Sequence, residues 1–314
     1  MKKIVDVAAG VITRPDGSFL LGQRAPGTFY PGYWEFPGGK VEAGETPAQA
    51  LVRELDEELG IRVQALNPWL MREHHYEHAH VRLHFFEVPA WSGEVNDHVH
   101  SALVWQHAGR LEVGPMLPAN GPILKALRLP RTMGITHAGE IGVEAQLAVL
   151  DTALAGGLRL VQVREPALDA AVRESFAIEA VRRARAAGAL AVVNGDEQLA
   201  LRCGADGVHL PAVQLAALDV RPDLPWVGAS CHTRAELERA AALELDYAVL
   251  GAVGETPTHP GQAALGWEGF ARLAAGLPLP VFAVGGLTAA DMAAARAAGA
   301  HGIAAIRGVW GAFA

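Results

Sequence analysis

Apolar positions recur at helical spacing in one stretch near the start of the chain. Ala48, Leu51, Val52, Leu55 and Leu59 fall on one stripe at roughly 100° per residue, bounded by a start signal and a stop signal. Thr46 and Gln49 form a capping-box pattern, Pro47 takes the first helical position, and Gly60 is placed for the C-terminal stop. Around this helix the period shortens. Residues 5–13 predict a strand, Asp16-Gly17 a hairpin turn, and residues 19–22 the returning strand. Further strands are expected at 63–70, 75–88 and 103–105, with a short closing helix at 122–127. The pattern is that of a mixed α+β domain, helices packed on a sheet.

The second half alternates strand and helix instead. Strand-like runs at 134–137, 158–164, 190–194, 207–210, 226–230, 247–251, 281–285 and 302–306 are mostly separated by alanine-rich helical stretches, such as 144–155, 170–187, 234–243 and 289–298. Eight such units indicate an α/β TIM barrel. Residues 128–132 read as a linker, with Pro130 breaking the helix before it. The expected domains are therefore 1–129 and 133–314. Polar residues ending barrel strands gather at the C-terminal face. Those ends carry Gln162, Arg164, Asn194, His209, Ser230, Gly285, Gly286, Arg307 and Gly308, and the glycines after the seventh and eighth strands suit a phosphate.

A chain of 314 residues, 51% hydrophobic and 19% charged, has material for more than one core. Its formal net charge of −8 argues against a nucleic acid polymer as partner, whereas a free nucleotide can meet its positive charge in a bound metal. Two cysteines, Cys203 and Cys231, suggest neither a disulfide framework nor a zinc site. Asp6 falls where a signal peptide would need its apolar core, and no apolar run is long enough to span a membrane. The expectation is a soluble cytoplasmic protein with no membrane partner.

The predicted helix carries chemistry on the edge beside its apolar stripe. Glu54, Glu57 and Glu58 are neighbours there, because positions three and four apart meet on a helix. Like charges repel, so such a patch calls for a reason. It follows a glycine turn, Gly38-Gly39, that lets backbone approach a ligand, and Glu45 adds a carboxylate at the helix entrance. Oxygen ligands of this kind suit Mg2+ or Mn2+ bridging to phosphates.

Gly39, five residues, Glu45, seven residues, then Arg53-Glu54-Leu55-x-Glu57-Glu58-x-Gly60-Ile61 resembles a complete Nudix box. The resemblance implies a metal-dependent hydrolase of a nucleoside diphosphate linked to another moiety. Glu54, Glu57 and Glu58, with Gly38, would be the metal ligands, Glu54 and Glu57 catalytic, and Arg53 would orient the carboxylates. Glu35-Phe36-Pro37-Gly38-Gly39-Lys40, the Gly44-Glu45-Thr46-Pro47 step and Leu117-Pro118-Ala119-Asn120 are similar to the MutT branch, which removes oxidised purine nucleoside triphosphates. That likeness places Asn120 on the base edge, Phe36 in the base pocket, Arg24 near the phosphates, and Gly38, Gly39 and Lys40 along the substrate. Tyr76 is a candidate for stacking on the base, with core packing as its equal alternative. One departure stands out: where the branch carries a further glutamate before the last strand, this chain reads Glu94-Val95-Asn96-Asp97-His98-Val99-His100-Ser101. Asp97, His98 and His100 are the candidates to replace it, and the general base stays open among Glu54, Glu57 and this loop. His78, His80 and His84 share a face by the two-residue period; without a cysteine or carboxylate pattern they read as a polar exposed strand face, not a zinc site.

The second half resembles thiamine phosphate synthase and the related thiazole tautomerase. The resemblance rests on Val161-Gln162-Val163-Arg164-Glu165, Gly204-Ala205-Asp206-Gly207-Val208-His209-Leu210, Thr256-Pro257-Thr258-His259-Pro260 and Ala283-Val284-Gly285-Gly286-Leu287-Thr288. It implies a thiamine-precursor ligand held by Gln162, Arg164, Asn194, Ser230, His259, Gly285 and Gly286. Yet the pattern's lysine after Arg-Glu is Pro166, its Asn-Asp is Asn194-Gly195, its second metal-binding aspartate is missing from Pro211-Ala212-Val213-Gln214, and the lysine of Pro-Thr-x-Lys-Pro is His259. Losing those charges removes support for a departing pyrophosphate, so strong synthase activity is not expected. His259 is then a candidate acid/base group for a tautomerase-like role.

The expected activity is hydrolysis of a nucleoside triphosphate, 8-oxo-dGTP first among them, to the monophosphate and pyrophosphate, in nucleotide-pool sanitation. The alternatives are hydrolysis of damaged thiamine or pyrimidine diphosphates, and a barrel that binds a ligand without turnover.

Overall fold

The computed structural model describes residues 4–255 and 263–313. The chain divides into two compact units, Met1–Arg128 with Gly276–Pro278, and Leu129–Ala275 with Leu279–Ala314.

The first unit contains β1 (Ile4–Ile12), β2 (Phe19–Gln23), β3 (Trp34–Glu35), β4 (Gly38–Lys40), α1 (Pro47–Leu59), β5 (Arg62–His75), β6 (His80–Ser92), β7 (Ala102–Gln106) and α2 (Gly121–Ala126). They build two sheets, ordered β4-β1-β6-β5 and β3-β2-β7. Among the described residues, β1 and β6 pair in parallel and the other strand pairs of this unit are antiparallel, so the expected mixed sheet with helices is present. One core gathers Val11, Phe19, Leu21, Trp34, Phe36, Phe85 and Ile123. Another packs Leu51, Leu55, Leu59 and Ile61 against Ala8, Ile12, Leu20 and Val88.

Helix α1 forms where its end signals place it. The Thr46 side chain accepts from the Gln49 N–H, Gln49 Oε1 accepts from the Thr46 N–H at 2.8 Å, and Gly60 closes the helix in the left-handed conformation at φ 67°. The buried stripe is slightly rotated from the expected one: Ala50 is buried while Val52 is 41% exposed. Two expectations fail for long-range reasons. The Asp16-Gly17 turn forms, but β1 and β2 share only the bridge Thr13–Phe19 and then enter different sheets. The expected strand at 75–88 is interrupted, because β5 continues to His75 and a turn closed by Tyr76 N–H to Ala79 O at 2.8 Å precedes β6. His78 therefore lies in that turn, off the face of His80 and His84.

The second unit is a closed barrel of eight parallel strands. In chain order its elements are β8 (Thr132–Ile135), α3 (Ala138–Ile141), α4 (Val143–Ala155), β9 (Leu160–Val163), α5 (Ala170–Ala186), β10 (Leu190–Asn194), α6 (Glu197–Cys203), β11 (Gly207–Leu210), α7 (Ala212–Ala217), β12 (Trp226–Cys231), α8 (Arg234–Ala242), β13 (Tyr247–Gly251), α9 (Gly266–Ala274), β14 (Val281–Val284), α10 (Met292–Ala297) and β15 (Gly302–Ala305). Neighbours in sequence are neighbours in the barrel, and β15 closes on β8. Its core holds Met133, Leu160, Val192, Trp226, Tyr247, Phe282 and Ala304. Thr132, read as linker, instead begins β8 and pairs with Ile303. Helices α6, α7 and α9 add to the four stretches given as examples from the sequence.

Candidate functional site

Helix α1 and strand β4 bring the Nudix-box residues together. Arg53 is the hub. Its Nε and Nη2 donate to Glu45 at 2.7 and 3.1 Å, its Nη1 stands 3.1 Å from both Glu54 and Glu57, and its Nη2 donates to the Lys40 carbonyl at 3.2 Å. These partners hold the guanidinium firmly protonated, the Glu45 hydrogen bond most of all. A lysine has a point charge and no planar fork. Arg53→Lys is expected to lower kcat about ten- to a hundredfold, the usual effect of losing an orienting partner, with an unchanged melting temperature; steady-state rates and a thermal melt would check both.

Glu58 has the most perturbed carboxyl group in the site. Burial, then the charges of Glu54 and Glu35, push it up to about 7, against a lowering hydrogen bond from the Gly38 backbone. Its Oε2 is buried with no hydrogen-bond partner among the described residues. A divalent cation there would relieve the repulsion and satisfy the unpartnered oxygen. Glu54, Glu58 and Gly38 thus fit a hard divalent ion in chemical kind. Glu57 stands apart, its side chain 60% exposed on Arg53, and among the described residues no three His, Cys, Asp or Glu side chains already form a group able to hold an ion.

The two box glycines serve different purposes. A Cβ on Gly39 would lie 2.3 Å from the Glu54 carboxyl group, whereas one on Gly38, at φ 141°, would lie 2.2 Å from the Ala8 carbonyl oxygen. Lys40 is exposed at the end of β4.

The remaining nucleotide-binding candidates meet different surroundings. Arg24 Nη1 donates to both oxygens of Glu35 at 2.7 Å, and its Nε donates to the Phe29 carbonyl at 2.6 Å. Its charge is already matched, which changes its expected place at a phosphate. Phe36 is 3% exposed, with its ring against Phe19 and Phe85, so the ring belongs to the core rather than to an open pocket. Asn120 is 4% exposed, and its Nδ2 has no partner among the described residues. Burial raises the Tyr76 phenol, against a hydrogen bond from the Ala119 backbone that lowers it. Tyr76 also belongs to an aromatic group unread in the sequence: Tyr30, non-glycine yet at φ 57°, lies 5.4 Å from it, and Phe29 stacks on His78 at 3.9 Å. The signal was the aromatic pair Phe29-Tyr30 ahead of Tyr33, but nothing local shows that it meets the 76–79 turn.

The loop that departs from the MutT pattern docks on the end of α1, Asn96 N–H to the Leu59 carbonyl at 3.0 Å and His98 N–H to the Glu58 carbonyl at 3.1 Å. Asp97 accepts from the backbones of Val99 and His100, so it shapes the loop. The His100 ring fills the space over Gly22, where a Cβ would stand 2.3 Å from it, and burial lowers its imidazole. His98 is left exposed beside Glu58.

In the barrel, a cavity of about 370 Å³ opens at the C-terminal ends of the strands and is lined by Gln162, Arg164, Ser230, Gly285 and Gly286 among the expected residues. Asn194 is not with them; it lines a separate cavity of about 180 Å³ with Gly195 and Asp196. His259, with its motif, lies outside the described residues. His209, His232, Thr288 and Arg307 also line the larger cavity. His232 and Thr288 sit just past strand ends, beyond the reach of a strand-end rule.

Family models match both units: the Nudix domain over residues 3–127 and thiamine monophosphate synthase over residues 132–309. A CTP pyrophosphohydrolase of Escherichia coli is 40% identical over 40% of this chain and 91% of its own length. An 8-oxo-dGTP diphosphatase of Haemophilus influenzae is 41% identical over 40% of this chain and 93% of its own. A thiamine-phosphate synthase of Thioalkalivibrio sulfidiphilus is 37% identical over 58% of this chain and 89% of its own.

Proposed function

The chain belongs to the Nudix family through residues 3–127 and to the thiamine monophosphate synthase family through residues 132–309, and from that premise we propose that its first unit is a nucleoside triphosphate pyrophosphohydrolase acting on 8-oxo-dGTP. That this unit is a Nudix hydrolase follows from family and relatives together. A nucleobase is supported by one observation, the Asn120 amide nitrogen buried with no partner among the described residues, and the purine is preferred on the likeness to the 8-oxo-dGTP diphosphatase. A buried donor without an acceptor is costly, and a base edge supplies one.

Glu54 and Glu58, with the Gly38 backbone, would hold Mg2+ or Mn2+. When bound, the cation offsets charge on the departing pyrophosphate and lowers the pKa of the attacking water. Arg53 holds Glu54 and Glu57 on one nitrogen, fixing where the site's carboxylates stand. Glu57, exposed on Arg53, and Glu54 are the carboxylates assigned to receive the water's proton.

A pyrimidine nucleotide is the second reading, favoured by the likeness to the CTP pyrophosphohydrolase and compatible with the same amide donor. For the barrel, the missing lysines and carboxylates favour binding of a small phosphate-bearing thiamine precursor over strong synthase activity. The deciding assay compares 8-oxo-dGTP, dGTP, CTP and oxidised thiamine diphosphate with Mg2+, separating pyrophosphate from phosphate release, with Glu57→Gln as control. Preference for 8-oxo-dGTP with pyrophosphate as product is expected, and the control should lose about 10²-fold or more. Preference for CTP would transfer the assignment to the pyrimidine reading; preference for the thiamine compound would join the two units in one pathway.

A further inference from the structure

The synthase family implies a divalent cation at the barrel mouth, and the residues present do not fit one. Among the described residues no aspartate or glutamate lines the 370 Å³ cavity, while Arg164, Arg307, His209 and His232 do. The carboxylates near the strand ends are engaged elsewhere. Asp196 accepts the Leu199 N–H at 2.8 Å as the cap of α6, and Glu165 accepts the Ala138 and Gly139 N–H groups at 2.7 and 2.8 Å. Glu140 takes Arg307 through both its oxygens at 2.8 and 2.6 Å. The Arg164 guanidinium, by contrast, has no hydrogen-bond or ion-pair partner among the described residues. An unpaired cation beside glycine-rich loops is suited to an anion, and among the described residues lining the cavity no carboxylate stands ready to hold a divalent ion.

A buried chain of three side chains sets the polarity of the remaining donor. Tyr247 is 0% exposed, its ring filling the space over Gly228, and its hydroxyl lies 3.2 Å from His209 Nδ1. His209 Nε2 lies 2.9 Å from Ser230 Oγ on the cavity wall. Burial pushes His209 down to about 3, so the ring is neutral and carries one proton. Were that proton on Nδ1, the Tyr247 hydroxyl hydrogen would be buried with no acceptor, a cost that folded proteins avoid. The satisfied arrangement has Tyr247 O–H donating to Nδ1 and Nε2–H donating to Ser230 Oγ. Ser230 then has its own hydroxyl hydrogen free for the cavity.

We propose that the barrel mouth binds a small phosphate ester without any divalent cation, Arg164 meeting its charge and Ser230 donating to its oxygen, with His209 and Tyr247 as positioning residues. This rests on reading the barrel as a phosphate-ligand site and is independent of the Nudix reading. The test is a titration of the full chain with inorganic phosphate, in EDTA and then in Mg2+, followed through the His209 ring resonances. The same long-range proton–nitrogen spectra identify the tautomer. Saturable shifts in EDTA are expected, with less than about a twofold change on adding Mg2+. Arg164→Gln should weaken binding about tenfold or more, and Ser230→Ala about three- to tenfold. Tyr247→Phe should release the tautomer and weaken binding as Ser230→Ala does, whereas Arg164→Gln should leave the Nε2–H form intact. Saturation that requires Mg2+ would overturn the cation-free site alone. No saturation in either condition would overturn the phosphate site itself. An Nδ1–H tautomer in the unmodified protein would overturn the role of Ser230 as donor.

Discussion

Glu58→Gln is expected to lower hydrolysis about 10³-fold, equivalent to about 4 kcal/mol of transition-state stabilisation, while making the cation-free protein more stable above pH 7. The two effects have one origin. Glu58 is pushed up to about 7 by burial and by Glu54 and Glu35, against an ordinary 4.5. A carboxyl group raised on folding favours the fold fully below its unfolded pKa, and that contribution is lost as pH rises from about 4.5 through about 7. At pH 8 the ionised group therefore opposes folding, by on the order of 1–2 kcal/mol once solvent screening is allowed for. Glutamine keeps an oxygen to accept from the Gly38 backbone and carries no charge. Melts in EDTA at pH 5, 7 and 8.5 should show the variant gaining on the unmodified protein as pH rises. Addition of Mg2+ should stabilise only the unmodified protein strongly. Parallel melting curves at all three pH values would refute the account of Glu58.

The adjacent glycines Gly38 and Gly39 should fail in opposite ways when replaced by alanine. At Gly39 the new methyl meets the Glu54 carboxyl group at 2.3 Å. That group ends a side chain able to swing aside, so the fold should survive within about 1 kcal/mol. The displaced carboxylate should lower kcat about 10²-fold, as small misplacements at a reacting centre do. At Gly38 the methyl meets the Ala8 carbonyl oxygen at 2.2 Å in a conformation, φ 141°, that L side chains rarely adopt. Strands β1 and β4 pair there, Ala9 opposite Gly38, and neither backbone has room to move. Gly38→Ala should destabilise by about 3 kcal/mol or more. Circular dichroism melts beside rate measurements would separate the two; equal destabilisation by both changes would contradict the distinction.

Both glycines were legible as members of one motif, and only the contacts around them tell a packing constraint from a site constraint. Arg24 shows the same limit. The likeness to the MutT branch put it near the phosphates, but β3 places Glu35 opposite Gly22 in the ladder and so hands Arg24 a carboxylate. The same likeness put Phe36 in the base pocket, with core packing as the alternative, and the ring packs against Phe19 and Phe85.

The sequence by itself determined the features that short-range geometry controls. Helix α1 with its capping box and its glycine stop, the acidic edge of Glu54, Glu57 and Glu58, and the eightfold strand–helix alternation all follow from residues within a turn or two of each other. Tertiary structure alone decided which partners those residues find across the chain. It sent β1 and β2 into different sheets, buried Glu58 beside Glu35, and joined Tyr247, His209 and Ser230 from three separate strands. Burial and pairing are sums over distant neighbours, and it is these sums, not local spacing, that set the protonation of a carboxyl group or the direction of a hydroxyl hydrogen.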